Sequence, residues 1–176
     1  MQYCYVLFVR SGDEDKINRI LSNSLDLELY QPFVPKKAMI FKRFGIHKKI
    51  LRKCFPGYVF IQSDVPPSEF KKHMFPVVYP IKEAYRFLHY GDDRNDIALR
   101  ENERKSLLAL FGDEFTIDCV AGVIVGDRIQ IISGIFAEME GKVKKIIPRK
   151  REVIIEIPFM GDLRPVSLGL DIIEKM

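Results

Sequence analysis

Two stretches of basic residues are the part of this sequence whose residue types and spacing point to chemistry. Residues 31–62 contain no Asp or Glu, and eight cations lie there among apolar residues. They are Lys36, Lys37, Lys42, Arg43, Lys48, Lys49, Arg52 and Lys53. Six of the ten residues at 142–151 are also cationic. Clustered guanidinium and ammonium groups neutralise phosphates and release counterions, so both stretches favour a nucleic-acid ligand.

Each basic stretch also has an alternative interpretation without a ligand. Like charges are often simply solvated, and lysines on a strand edge discourage aggregation between sheets. The sequence alone leaves these alternatives open. No aromatic motif of the RNA-recognition type accompanies the stretches. If nucleic acid binds, we expect contacts to phosphate and to groove shape, not stacking of single-stranded bases.

Common catalytic constellations are absent from the sequence. It has no phosphate-binding loop, dinucleotide turn, zinc-protease helix or nucleophile elbow. The three histidines, His47, His73 and His89, are not at metal-ligand spacing. Asp92 and Asp93 are neighbours in a polar turn, where carboxylates usually cap helices or face water. We therefore expect a binding protein that is not an enzyme and needs no cofactor or metal.

Composition indicates a globular protein. The 176 residues are 47% hydrophobic and 30% charged, with a net charge of +4. No apolar run reaches the roughly 20 residues of a membrane span. The acidic residues at 13–15 are unlike a signal peptide. Three cysteines without a C-x-x-C pair predict reduced thiols, and we expect a cytoplasmic monomer with no membrane partner.

Hydrophobic periodicity predicts the elements that position the basic residues. Residues 3–10 are a short apolar run typical of a buried strand. Ser11 and Glu14 have capping-box spacing, which predicts that a helix begins there. The basic residues at 36–53, with Gly45 midway, predict a hairpin, and residues 58–63 predict a second core strand.

The residue pattern predicts two more helices and a strand, and then a change to all-β structure. A second helix is predicted after Pro66 and is expected to end at Pro76, because proline breaks the hydrogen-bond pattern. A strand is predicted around 86–90 and a helix at 101–111. Short β-branched runs punctuated by glycine then predict a small all-β barrel. The predicted organisation is an α+β domain at 1–112, a flexible linker at 113–119 and a barrel at 120–176.

Two motifs resemble those of the NusG family of transcription factors. Residues 54–61 (CFPGYVFI) resemble its N-terminal F-P-G-Y-V signature, between a basic hairpin and a short helix as in that family. Residues 125–143 (VGDRIQIISGIFAEMEGKV) resemble its C-terminal KOW motif. The resemblance implies an N-terminal NusG-like (NGN) domain, with a central antiparallel sheet flanked by helices, and an SH3-like KOW barrel.

The NusG resemblance implies an elongation factor that binds RNA polymerase through an apolar surface of the NGN domain. By position, the implied contacts are the aromatic residues Phe55, Tyr58, Phe70, Tyr3 and Tyr5. We expect partial exposure for Phe55, and core or mixed packing for Tyr3 and Tyr5. The alternative is that all of these are merely core aromatics.

In the NusG family, the KOW barrel recruits a ribosomal protein or a termination factor through exposed aromatics. Here Phe136 keeps such a position, whereas Met139 and Met160 stand where aromatics are common. Together with the basic stretch, this departure makes the chain similar to the LoaP group of processive antiterminators, which recognise an RNA hairpin in the nascent transcript. By charge and place, the expected RNA contacts are Lys144, Lys145, Arg149, Lys150, Arg151 and Arg164.

The expected function is processive antitermination, with RNA polymerase and a nascent RNA hairpin as partners. The basic hairpin is expected to bind nucleic acid, upstream DNA included, through Lys42, Arg43, Lys48 and Lys49. The alternative is a general NusG-type elongation factor whose KOW barrel binds a ribosomal protein or a termination factor instead of RNA.

Overall fold

A computed structural model describes residues 1–137 and 142–173. In chain order the strands are β1 (Tyr3–Val9), β2 (Tyr30–Phe33), β3 (Lys36–Arg43), β4 (Ile46–Lys53), β5 (Tyr58–Ser63), β6 (Ala84–Phe87), β7 (Thr116–Ile117), β8 (Val120–Val125), β9 (Arg128–Ile131), β10 (Val143–Ile147), β11 (Glu152–Phe159) and β12 (Asp162–Ile173). The helices are α1 (Glu14–Ser24), α2 (Pro67–Val78), α3 (Glu101–Phe111) and α4 (Gly134–Ala137). This content confirms the predicted α+β class.

The contacts group the chain into two compact units. The first unit comprises Met1–Pro35 and Phe55–Leu108, and the second comprises Lys36–Cys54 and Ala109–Met176. The basic hairpin therefore belongs, by its contacts, with the C-terminal residues. The division at 112 and 120 stays a prediction.

A four-stranded antiparallel sheet organises the first unit. Its strand order is β2-β5-β1-β6, so the apolar strand β1 lies between two neighbours, as its composition predicts. One face of the sheet carries a core in which Leu7 of β1 packs with Ile17 of α1 and Met74 of α2. All three side chains are fully buried. Burial of this apolar face holds α1 and α2 against the sheet.

The helix boundaries differ from the predictions at two places. The capping box predicted at Ser11 is wrong, because the N-cap of α1 is Asp13 and no side chain caps the helix. The predicted end of α2 at Pro76 is also wrong. The Tyr79 amide still donates to the Phe75 carbonyl at 2.9 Å, since a proline near a C-terminus removes only one donor. Helix α3 has the predicted bounds.

The predicted basic hairpin is confirmed in the second unit. Strands β3 and β4 pair antiparallel, and Phe44 and Gly45 form the turn with φ of 50° and 80°. Strand β7 pairs parallel with β3 and lies within the predicted linker. The expectation of a flexible linker is wrong for β7, because strand pairing and the burial of Ile117 hold it in place.

The second unit also contains a five-stranded sheet, in the order β10-β11-β12-β8-β9. Strand β12 pairs parallel with β8, and the other pairs are antiparallel. Every second residue of β11 is buried, beginning with Val153 and Ile155, which is the period of a strand with one face on a core. Across the described ranges, every helix is too short or too polar to cross a membrane.

Candidate binding surfaces

The turn at residues 55–58 is held in place by a buried carboxylate of α1. Glu14 is fully buried and accepts hydrogen bonds from the Gly57 amide at 2.7 Å and the Gly12 amide at 2.9 Å. Gly57 has a φ of 88°, a conformation that favours glycine, and its carbonyl accepts from the Val9 amide at 2.8 Å. The backbone that leads into Tyr58 is therefore held from α1 and from β1.

Phe55 is a buried residue. It is 1% exposed, and its ring centroid lies 5.6 Å from that of buried Phe60. The expectation of partial exposure is therefore wrong, because the ring lies beside Phe60 of β5 and not in solvent. A direct polymerase contact by Phe55 stays a prediction.

Two other residues of the predicted polymerase surface are fully buried. The rings of Tyr5 and Phe70 are stacked with centroids 3.6 Å apart, and the Tyr5 hydroxyl donates to the Val65 carbonyl at 2.7 Å. Core packing, one of the two options expected for Tyr5, is confirmed. Tyr3 is partly exposed and lies 6.2 Å from the Tyr5 ring.

Tyr58 belongs to a partly exposed cluster that we call the aromatic patch, formed by Phe8, Tyr58 and Tyr85. The Phe8 ring lies 5.7 Å from Tyr58 and 5.1 Å from Tyr85, and Tyr85 is 52% exposed. Phe8 and Tyr85 are not among the residues that the sequence predicts for the polymerase contact. Phe8 is identified only by the pairing of β1 with β5, whose register places Phe8 opposite Tyr58.

A groove beside the aromatic patch extends the apolar surface of the first unit. Phe75 and Tyr79 are stacked at 5.1 Å, and both rings are largely exposed. They line a cavity of about 430 Å³ together with Tyr85, and Lys71 and Arg86 also line it. Exposed aromatics on this scale mark an interaction surface. Because the sequence predicts that α2 ends at Pro76, it does not indicate that Tyr79 stacks on Phe75.

The cations of the hairpin differ in their surroundings. Lys42, Arg43 and Lys48 are exposed near its tip. Lys49 forms an ion pair with Asp118, and the hydrogen bond between them raises the pKa of Lys49 and lowers that of Asp118. The charge of Lys49 is therefore partly satisfied within the protein.

The base of the hairpin is less exposed than its tip. Burial lowers the pKa of Lys37, while the neighbouring Cys54 and Glu152 act in the opposite direction. Lys36 and Lys53 are also only partly exposed. Arg52 pairs with Lys37 near the base but is exposed, so it offers charge to a ligand together with the cations of the tip.

The predicted RNA contacts in the second basic stretch also differ in availability. Lys144 and Lys145 are both exposed, and Lys144 forms a 2.8 Å ion pair with Glu156. The guanidinium of Arg164 lies over the Phe159 ring, 4.7 Å from its centroid. Arg149, Lys150 and Arg151 form or follow a short 3-10 turn that connects β10 to β11.

The two basic stretches meet at one place in the second unit, which we call the basic cleft. The cleft has a volume of about 470 Å³ and is lined by Ile40, Phe41, Lys42, His47 and residues 148–152. Glu152 is the one carboxylate among these described lining residues. The stretches are far apart in the sequence, so only the fold brings them together.

The predicted protein-partner surface of the KOW barrel is different from expectation at Phe136. This residue is 6% exposed, so the predicted exposed aromatic is wrong, because the ring packs inside the second unit. Met160 is partly exposed in the turn between β11 and β12, with a φ of 51°. Met139 lies outside the described residues.

Thiols and metal-ligand side chains give no reactive centre in the described ranges. No group of three His, Cys, Asp or Glu residues there has a geometry suited to a metal ion. Cys4, Cys54 and Cys119 are free thiols. Burial raises the pKa of both Cys4 and Cys54 to about 12, so these thiols stay protonated at neutral pH.

Comparison with known proteins gives consistent similarities. The model of a family described as "NusG: Transcription termination factor nusG" matches residues 2–108. The chain is 27% identical over 180 residues to "Transcription termination/antitermination protein NusG" of Thermus thermophilus, covering 97% of each chain. It is 22% identical to the Treponema pallidum protein of that name, over 98% of this chain and 97% of the relative. A solved structure described as "Domain interaction in Thermotoga maritima NusG" aligns with 95% of this chain and 93% of that chain, with a TM-score of 0.48 and 19% identity.

Proposed function

The chain belongs to the NusG family of transcription termination and antitermination factors, and on this premise we propose that it is a processive antitermination factor. The family consists of non-enzymatic transcription factors. In our proposal, the protein binds RNA polymerase through its NGN domain and a nascent RNA hairpin through its basic KOW domain. The specialisation resembles that of the LoaP group.

The polymerase contact is proposed at the aromatic patch and the adjoining groove. Tyr58 lies in the F-P-G-Y signature that the family resemblance implies for this contact, and it is partly exposed beside Phe8. Tyr85 and Phe75 enlarge the exposed aromatic area. Buried Phe55, Tyr5 and Phe70 support this surface from within in our proposal. Large aromatic side chains of this kind dominate the energetics of protein interfaces.

The RNA contact is proposed at the basic cleft, which is the observation that carries the RNA-binding part of the proposal. Lys42 of the hairpin and Arg149, Lys150 and Arg151 of the turn converge there, and Glu152 is the one carboxylate among the described residues that line the cleft. Cations that only solubilise a surface need not converge. Lys145 and Arg164 extend the proposed RNA surface on the same unit.

A pool of hairpin RNAs with a fixed stem and a random loop tests the proposal. The full chain is mixed with the pool at physiological salt, and bound RNA is recovered over several rounds. We expect enrichment of hairpins that bind more tightly than unstructured RNA of the same composition. Purified bacterial RNA polymerase should be retained by the same chain.

One result would instead support the alternative function. If polymerase is retained but no hairpin is enriched, the chain is better described as a general NusG-type elongation factor. Its KOW domain would then bind a ribosomal protein or a termination factor. Failure to retain polymerase would contradict both forms of the proposal.

A further inference from the structure

We infer that the basic cleft holds one unpaired nucleotide of the bound RNA, with its base stacked on Phe41 and its phosphates against the cations of the turn at 148–151. The inference rests on the proposed function and names the part of the RNA that this site recognises. It departs from the sequence-based expectation, which is of contacts to phosphate and groove shape and not of base stacking.

Phe41 provides the apolar floor for such a base. Its side chain is 51% exposed although it lies within strand β3, and Ile40 beside it also lines the cleft. The strand pairing places Lys48 opposite Phe41, and His47 opposite Lys42. An exposed ring in a cleft lined by cations is the arrangement on which proteins stack single-stranded bases.

The opposite side of the cleft offers cations on a fixed backbone. The Arg151 amide donates to the Pro148 carbonyl at 3.0 Å, and the Arg151 carbonyl accepts from the Leu170 amide at 2.7 Å. Arg151 has a φ of 54°, which turns the chain sharply after the 3-10 turn. Binding therefore does not need to order this backbone, which lowers the entropic cost of holding phosphates.

Size and charge together favour a nucleotide as the occupant. The cleft volume of about 470 Å³ falls within the range of roughly 300–1,000 Å³ that is typical of small-molecule sites. The excess of cations over carboxylates selects an anion, and Phe41 selects one with a flat apolar face. Bases within a duplex stack on each other, so an unpaired base is the part of an RNA hairpin that offers such a face.

Fluorescence of 2-aminopurine tests the inference on a hairpin recovered from the random-loop pool. The fluorescent base is placed at each loop position in turn, because stacking on an aromatic ring quenches it. We expect the full chain to quench one loop position strongly. Phe41→Leu should abolish this quenching and weaken hairpin binding by about 5- to 150-fold, the range measured when a stacking ring is removed.

Phe44→Leu, in the turn between β3 and β4, is the matched control. Phe44 is 90% exposed at the tip and is not among the residues that line the cleft. This variant should keep the quenching and the affinity of the wild type. A fully paired RNA of the same length should bind Phe41→Leu and wild type equally. Circular dichroism of both variants checks that they are folded.

The outcomes separate this inference from the proposed function. If Phe41→Leu binds the selected hairpin as tightly as wild type, while Arg149→Gln still weakens binding, the stacking site is overturned and RNA binding stands. If no hairpin is enriched from the pool, RNA binding itself fails. A DNA hairpin with 2-aminopurine in its loop is measured in the same way. If quenching there also depends on Phe41, the nucleotide site is supported and single-stranded DNA is a second source of its ligand.

Discussion

The Glu14 carboxylate accepts a 2.7 Å hydrogen bond from the Gly57 amide, across 43 residues of sequence. Glu14 begins α1, and Gly57 lies in the turn that carries the family signature. A buried charged acceptor is stabilising only when its hydrogen bonds are made, so the position of α1 and the shape of the turn depend on each other. This link holds Tyr58 at the edge of the aromatic patch.

Glu14→Gln should therefore destabilise the protein. One amide oxygen replaces two carboxylate oxygens, so a buried backbone amide loses its charged acceptor. We expect the free energy of unfolding in urea to fall by about 1.5–3 kcal/mol. Glu28→Gln, at an exposed position, is the control and should change stability by less than about 0.5 kcal/mol. Equal stability of the two variants would contradict the role given to Glu14.

Phe55→Ala should lower the stability of the fold, and any loss of polymerase binding should follow from that. Because the ring is 1% exposed, its removal leaves a cavity and should cost about 3–5 kcal/mol of unfolding free energy. Chemical denaturation measures this loss directly. A Phe55→Ala variant with wild-type stability and no polymerase binding would show that Phe55 contacts the polymerase after all.

Tyr85→Ala should weaken polymerase binding without unfolding the protein. Half of its side chain is exposed beside Phe8, so little core packing is lost. Interface aromatics often contribute about 2 kcal/mol or more, and we expect affinity to fall roughly 30-fold by surface plasmon resonance. Leu27→Ala is the control, since Leu27 is 54% exposed and lies outside the patch. Similar losses in the two variants would argue against the aromatic patch.

The double variant Arg149→Gln, Lys150→Gln should reduce the salt dependence of RNA binding. Each phosphate contact contributes about 0.7–0.9 to the slope of log affinity against log salt. Removing two contacts should therefore lower the slope by roughly 1.4–1.8. Lys72→Gln with Lys105→Gln changes net charge equally, on exposed residues of α2 and α3, and should leave the slope nearly unchanged. If both pairs lower it alike, net charge and not the cleft governs binding.

The cysteines should react with a thiol reagent in a defined order. Burial raises the pKa of Cys4 and Cys54 to about 12, from an ordinary value of 9.0. Cys119 also has a raised pKa from burial but is only partly buried. At pH 8, mass spectrometry should find Cys119 labelled first. Equal labelling of all three thiols in the folded protein would contradict the burial of Cys4 and Cys54.

The same pKa shifts give a direction for stability at alkaline pH. The folded state keeps the Cys4 and Cys54 protons, whereas the unfolded chain releases them near pH 9. Their contribution to stability is complete below about pH 9 and is lost as the pH rises toward about 12. A Cys54→Ala variant should therefore lose less stability between these pH values than wild type, as followed by urea denaturation.

Local patterns predicted much of the secondary structure. Helix α3 and strand β5 have the predicted bounds. The helical spacing of apolar residues and the turn residues before a strand are local signals, which the sequence shows directly. The basic hairpin is also predictable from local sequence, since Gly45 marks its turn, and the pairing of β3 with β4 confirms it. The capping box at Ser11 failed because Glu14 is used by a distant turn, which no local pattern reveals.

The candidate sites were less predictable, since they depend on contacts between distant residues. Charge alone identified the cations of the basic cleft but not their meeting with Phe41. The family signature identified Tyr58 but not Tyr85, which lies beside Phe8 only after β1 and β6 pair. The burial of Phe55 likewise depends on the sheet against which its ring packs.

Retention of a labelled hairpin RNA on immobilised RNA polymerase, mediated by the full chain, tests the two-surface account most directly. Wild type should hold the RNA on the polymerase. The double variant Tyr58→Ala, Tyr85→Ala should still bind RNA in solution but not polymerase, and Arg149→Gln, Lys150→Gln should do the opposite. If either variant loses both ligands while folded, or if RNA retention needs no protein, the account of two separate surfaces is contradicted.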